Sequence, residues 1–387
     1  MPGTTPAAVA SALAPVSESE SKSPATLRPG MALALSGGGY RAMLFHTGVL
    51  WRLSDLGLLR KLQRISSVSG GSIVSALLGL KWQRVAGAGA AADAFEREIV
   101  KPIREIAHVN IDAAAIGKGT FLPGTISEHV AKSYASHLYG EATLQDLPDD
   151  PPRFVINATN VQSGALWRFS KPYMRDYLVG KVSNPTVRLA DAVAASSAFP
   201  PFLSPARIPK SKLTFDEPAD DEPLHRPPFT TNVVLSDGGV YDNLGLETIW
   251  KNYDTLLVSD AGQKTAPEEE PDTDWPRHAK RVLDIVDNQV RSLRKRQLIG
   301  AYETGLRKGA YWGIRTNVED YGVPGLACPF ERTQALAAVP TRLADTDDLT
   351  QERLINWGYA ICDAAVRRYV TPQADRATRF PYPEAAV

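Results

Sequence analysis

The sequence predicts an α/β fold, a single domain on a mainly parallel sheet with helices on both faces. Two features carry this expectation. The apolar run Met31–Ser36 passes through Gly37-Gly38-Gly39 into a mostly apolar helical pattern, Ala42–Leu53, that stops near Gly57. The pattern then repeats: Leu62–Val68 leads through Ser69-Gly70-Gly71 into the helical Ser72–Leu80. Successive β–α units place their strands parallel and bury them under helices. Composition agrees, because 387 residues with 43% hydrophobic and 22% charged content can fill a substantial core.

Further elements follow the same logic. Strands are expected at Phe154–Asn160, Leu166–Ser170, Asn232–Leu235 and Leu256–Ser259, and helices at Ala90–Glu105, Ile126–His137 and Val187–Ser196. The section after Trp275 is again helical, with Val282, Ile285, Val286, Gln289, Val290 and Leu293 along one side. Residues 1–30 are rich in Pro, Ala and Ser and read as a disordered tail, without the basic start and compact apolar centre of a secretory signal. The domain is expected over 31–370, with 371–387 as a C-terminal tail. Residues 208–231 hold five prolines among acidic residues and read as a loop excursion, either a mobile loop near the site or an ordered surface insertion without function.

Several functions are disfavoured. Lys+Arg and Asp+Glu balance at 43 each, so no bulk attraction to nucleic acid is expected. Cys328 and Cys362 have no metal-ligand spacing, and no metal or other cofactor is anticipated. No apolar run approaches the roughly 18–20 residues of a spanning helix. A cytoplasmic protein, peripheral at most to a membrane, is the default expectation.

The two glycine turns together suggest acyl-transfer chemistry. A serine on a tight strand-to-helix turn is lifted above the sheet, and the helix N-terminus faces developing negative charge. Ser69 has that position, with Gly70 and Gly71 supplying small neighbours and Ser67 where the usual elbow has glycine. Gly37, Gly38 and Gly39 offer backbone N–H groups for an oxyanion. The same loop also satisfies a dinucleotide fingerprint, but Asp55, at the required spacing, falls at the end of a helix. The candidate acid is Asp237, after an apolar strand and before Gly238-Gly239. Only His278 follows it, at a basic helix start, and His46 falls on the first buried helix. A dyad of Ser69 with Asp237 therefore accounts for the pattern better than a triad. Asp242 and Asn243 read as turn formers.

The ordered set Ser36-Gly37-Gly38-Gly39-Tyr40-Arg41-Ala42, Ser67-Val68-Ser69-Gly70-Gly71 and Asp237-Gly238-Gly239 resembles the patatin-like phospholipases. Ala194-Ala195-Ser196-Ser197-Ala198-Phe199-Pro200-Pro201 is similar to that family's small-residue helix ending in a proline turn, and the opening loop is similar to the cytosolic phospholipase A2 group. The resemblance covers about Met31 to Gly262. It implies a three-layer α/β/α fold, a Ser69–Asp237 dyad, an oxyanion hole from Gly37, Gly38, Gly39 and Gly70, and metal-independent hydrolysis of a lipid carboxylic ester. It also implies that Arg41 meets the substrate phosphate, for which a guanidinium fork has the right geometry. Two alternatives remain: a thioesterase or acyltransferase on the same site, and a catalytically silent lipid-binding module.

The stretch Arg277–Arg296 is basic and could touch anionic membrane transiently. Its apolar residues include no Trp or Phe, which favours a plainer reading: a domain helix with its apolar side in the core and its basic side solvated. The sequence leaves the oligomeric state open.

Overall fold

The computed structural model describes residues 27–87, 89–91, 93–112, 125–201 and 203–387. The tail expected over 1–30 lies outside the described residues except at its last four positions. There β1 (Arg28–Leu35) already begins, three residues ahead of the expected strand. It is followed by α1 (Gly39–Asp55), β2 (Leu62–Val68), α2 (Gly70–Leu80), α3 (Lys101–Ala107) and α4 (Ile126–Tyr134). The central strands are β3 (Arg153–Asn160), β4 (Ala165–Phe169), β5 (Tyr173–Asp176) and β6 (Gly180–Ser183), with α5 (Leu189–Ser196) after them. Short β7 (Ala206–Arg207) and β8 (Val234–Asp237) precede β9 (Tyr253–Asp260). The chain closes with α6 (Trp275–Glu303), β10 (Lys308–Gly313), α7 (Phe330–Ala337) and α8 (Asp348–Tyr369). The helix expected over Ala90–Glu105 is shorter than its pattern, with a π-turn at Glu96–Val100 feeding α3.

Among the described residues the sheet order is β10-β9-β1-β2-β3-β4-β5-β6. Pairing is parallel from β10 to β3, as the β–α repeats require, and then becomes antiparallel through β4, β5 and β6. The alternation of β1 explains the layers, since successive side chains leave a strand on opposite faces. Leu33 and Leu35 enter the larger core with α1, α2 and α8. Ala32 and Ala34 enter a smaller one with Leu244, Leu246, Ile249 and Leu298 of α6. Helices thus cover both faces. None of those described is long and apolar enough to cross a membrane.

One feature of this sheet positions the site. The edge of β3 is shared by two strands. β2 pairs with its first half, ending at Val68 opposite Asn157, and β8 takes over antiparallel, ending at Asp237 opposite Ala158. The residues that leave these two strand ends are therefore neighbours. Residues 208–231 lie elsewhere, packed on β5 and β6. The Asp216 N–H donates to Lys181 O (2.8 Å), Leu224 N–H to Leu178 O (2.9 Å), and buried Glu222 pairs with Arg175.

Candidate active site

Ser69 occupies the step between β2 and α2 at φ 50° and ψ −120°, a region that costs a non-glycine residue on the order of 1–3 kcal/mol. Hydroxyl hydrogen bonds hold it there. The Ser69 N–H donates to Ser196 Oγ (2.9 Å), Ser196 Oγ donates to Asn157 O (2.6 Å), and Ser72 Oγ joins Ser196 Oγ at 2.9 Å. Gly70 is required because a Cβ there would lie 2.1 Å from Gly39 O, so tightly do the starts of α1 and α2 approach. Ser196 was visible only as part of a small-residue helix. Its role in clamping the turn comes from tertiary packing.

Asp237 and Ser69 line the same cavity, and the Asp237 carboxylate accepts the Gly239 N–H at 2.7 Å. Asp237 is only 2% exposed. Burial pushes its carboxyl up to about 7, against the lowering by the Gly239 N–H and Ser69, and the negative Asp287 raises it further. Asp287 is itself lifted to about 6 by burial. Both carboxyls line a cavity of about 510 Å³, together with Ser69, Gly38, Gly39 and Phe199.

The glycine loop departs from expectation at its first member. Gly37 does not line the cavity, and its N–H donates to Asn243 O at 3.1 Å, because the loop is stitched to the turn after β8. The N–H groups of Gly38 and Gly39 have no hydrogen-bond partner among the described residues, and both residues border the cavity with positive φ (142° and 59°). Gly70 does not line the cavity. Asn243, read from sequence as a turn former, is at the site, with its side-chain oxygen against Gly37 and Gly239.

Arg41 also departs. It is 1% exposed and does not line the cavity. Its Nε and Nη2 donate to Ala261 O (3.3 and 2.9 Å) and its Nη1 to Val339 O. Burial, with Arg315 and Arg291 nearby, lowers its pKa to about 10. The fork is occupied by main-chain carbonyls and ties the glycine loop to the end of β9 and to the segment after α7. Cations at the cavity are instead Lys264, Lys280, Arg281 and Arg342.

The histidines take no part in the cavity wall among the described residues. His46 is fully buried, with its ring nitrogens 3.0 Å from Ser259 Oγ and from Ser36 O, and burial lowers its pKa to about 4. His278 is exposed on the first turn of α6.

The patatin family model, described as patatin-like phospholipase, matches residues 33–250, more than half of the sequence. The chain belongs to the patatin-like phospholipase family. Among solved structures it is similar to human GIVD cytosolic phospholipase A2, at 15% identity over 60% of this chain and 45% of that one, with a TM-score of 0.41. The same human protein in complex with methyl gamma-linolenyl fluorophosphonate matches at 15% identity over 88% and 58%, with a TM-score of 0.48. VipD from Legionella pneumophila matches at 13% identity over 85% and 67%, with a TM-score of 0.33. The chain thus spans about half the length of the human protein. No curated protein sequence matches significantly.

The family match ends at residue 250, whereas much of the outer wall of the cavity comes from 263–287 and 341–343. In this patatin-like chain the turns around Ser69 and Asp237 lie within the family region, and the rim is supplied by segments beyond it.

Proposed function

We propose that this patatin-like chain is a serine lipid acyl hydrolase, of phospholipase A or lysophospholipase type, working through an acyl-Ser69 intermediate. The observation that carries the reading is that Ser69 and the buried Asp237 carboxylate line one cavity, bordered by the unpaired N–H groups of Gly38 and Gly39. Asp237 takes the Oγ proton as Oγ forms a bond to the ester carbonyl carbon. The carbonyl electron pair moves onto oxygen, where the N–H groups of Gly38 and Gly39 and the helix N-termini stabilise it. Such donors are commonly worth about 10²–10³ in rate. Collapse breaks the ester C–O bond, and Asp237 returns the proton to the departing alcohol. Water, deprotonated by Asp237, then bonds to the acyl carbon, the acyl C–Oγ bond breaks to release the fatty acid, and Asp237 returns the proton to Ser69 Oγ.

A fluorophosphonate probe tests the reading directly, since only an activated serine reacts. Labelling of the wild type at Ser69 is expected, and absence of labelling would leave a silent lipid-binding module. His278→Ala should keep turnover of a soluble ester within about twofold of wild type, because an exposed histidine outside the cavity has no proton to move there. A large loss would reinstate a triad.

The base must be ionised to act, and its pKa is raised to about 7. The kcat/KM for a soluble ester should therefore rise about tenfold per pH unit below 7 and level off above. A profile already flat at pH 5 would remove Asp237 from the role of base.

Arg41→Lys replaces a fork bridging two carbonyls by a single ammonium. We expect an equal fractional loss on phospholipid and on neutral short-chain ester, with a destabilisation of about 1–3 kcal/mol in thermal unfolding. A loss confined to phospholipid would restore the phosphate contact.

A further inference from the structure

Helix α6 has its amphipathic faces reversed. Trp275 is 82% exposed, Val286 53% and Leu293 58%, and Val282, Ile285 and Val290 flank them. At about 100° per residue, positions 275, 282, 286 and 293 fall within one narrow sector. None of the six belongs to either apolar core. The opposite side of the helix carries charge into the protein. Asp284 and Asp287 line the cavity, Arg294 pairs with Asp242 and Glu247, and buried Arg291 donates to Gln263 O. The sequence pattern anticipated an apolar side packed in the core. The structure turns that side outward, because the inward face meets a polar cavity wall and the acidic Asp242 and Glu247. An apolar stripe held in water on one helix marks a surface that meets something apolar.

Two observations identify the occupant. The stripe runs about 27 Å and is one helix wide, roughly 270 Å², well below the roughly 800 Å² per partner of a stable protein interface. The same helix forms part of the wall of the cavity that holds Ser69, with Asp284 and Asp287 on its inner side, so whatever the stripe enters lies one helix width from the cavity. The charges then set the mode of contact. Arg277 pairs with Asp272 (3.0 Å) and Asp274 (2.7 Å), Lys280 with Asp284 (2.6 Å) and Arg281 with Glu268 (3.4 Å). Cations near the exposed end of the helix are therefore neutralised within the chain.

We propose that the outward stripe of α6 is a lipid-surface docking face, which seats the helix bordering the cavity on a bilayer by apolar insertion and not by attraction to anionic headgroups. This rests on the reading of the protein as a lipid acyl hydrolase. The full chain is tested by sedimentation with phosphatidylcholine vesicles, with and without phosphatidylglycerol. Wild type should bind both, with less than about a twofold change between about 50 and 500 mM salt. Brominated phosphatidylcholine should quench its emission, and most of that quenching should be lost in Trp275→Phe. The double variant Val286→Glu/Leu293→Glu should lose vesicle binding by about tenfold or more and keep soluble-ester turnover, since both side chains are exposed and outside the cavity. Unchanged vesicle binding in the double variant overturns the proposal. So does binding that needs phosphatidylglycerol and disappears with salt, or a wild-type dimer that the double variant dissolves. If wild type binds vesicles through the stripe yet hydrolyses no soluble ester, the docking face stands and the hydrolase reading falls.

Discussion

Replacing Ser69 by alanine is expected to lower ester hydrolysis by about 10⁴–10⁶-fold while the protein remains folded. The substitution removes one hydroxyl, and the network that clamps the turn runs through the Ser69 N–H and Ser196 Oγ, both of which survive. Fluorophosphonate labelling should vanish in parallel, and circular dichroism and thermal unfolding should stay near wild type. Retention of more than about a tenth of the activity would move the nucleophile elsewhere. The strained backbone at residue 69 sharpens the test. Ser69→Gly should be equally inactive yet no less stable than Ser69→Ala, because glycine adopts φ 50° without a Cβ penalty.

Asp237→Asn should reduce activity nearly as far, since the amide preserves shape and can still accept the Gly239 N–H but takes no proton from Ser69. It carries a second, opposite expectation for stability. The carboxyl is raised from an ordinary value near 4 to about 7, so the folded protein holds this proton more tightly than the unfolded chain. The stabilising contribution is complete below about pH 4 and is lost as pH rises through about 7, where a buried charge must be carried. Asp237→Asn removes that cost. It should match wild type in thermal stability near pH 4 and exceed it near pH 8, by on the order of a few kcal/mol. A variant less stable than wild type at pH 8 would mean that the carboxylate is well solvated and its pKa close to ordinary.

The parts of this protein legible in its sequence are those where chemistry and local backbone coincide. β2 spans Leu62–Val68 as expected, and the glycines after β1 and β2 mark strand-to-helix turns because those turns demand small residues. The antiparallel β5 and β6 were not read, being four residues each and interrupted by polar side chains. Asn243, Ser196 and Arg342 reach the site through tertiary approach, which leaves no local signature. Arg41 departs from its sequence reading for a related reason. A motif position specifies the residue type, and whether its guanidinium faces ligand or main chain depends on the carbonyls of Ala261 and Val339, far along the chain. The α6 stripe has helical periodicity, and periodicity alone does not say which side is wet.

The shared edge of β3 has a consequence for biosynthesis. The nucleophile turn belongs to the first β–α units and can form early on a growing chain, whereas Asp237 arrives at its side only when β8 docks beyond the end of β2. Until the ribosome has delivered that later strand, Ser69 lacks its proposed base. A nascent or prematurely terminated chain would then carry an inert hydroxyl, and the proposed acyl hydrolase activity would appear only at the completion of folding.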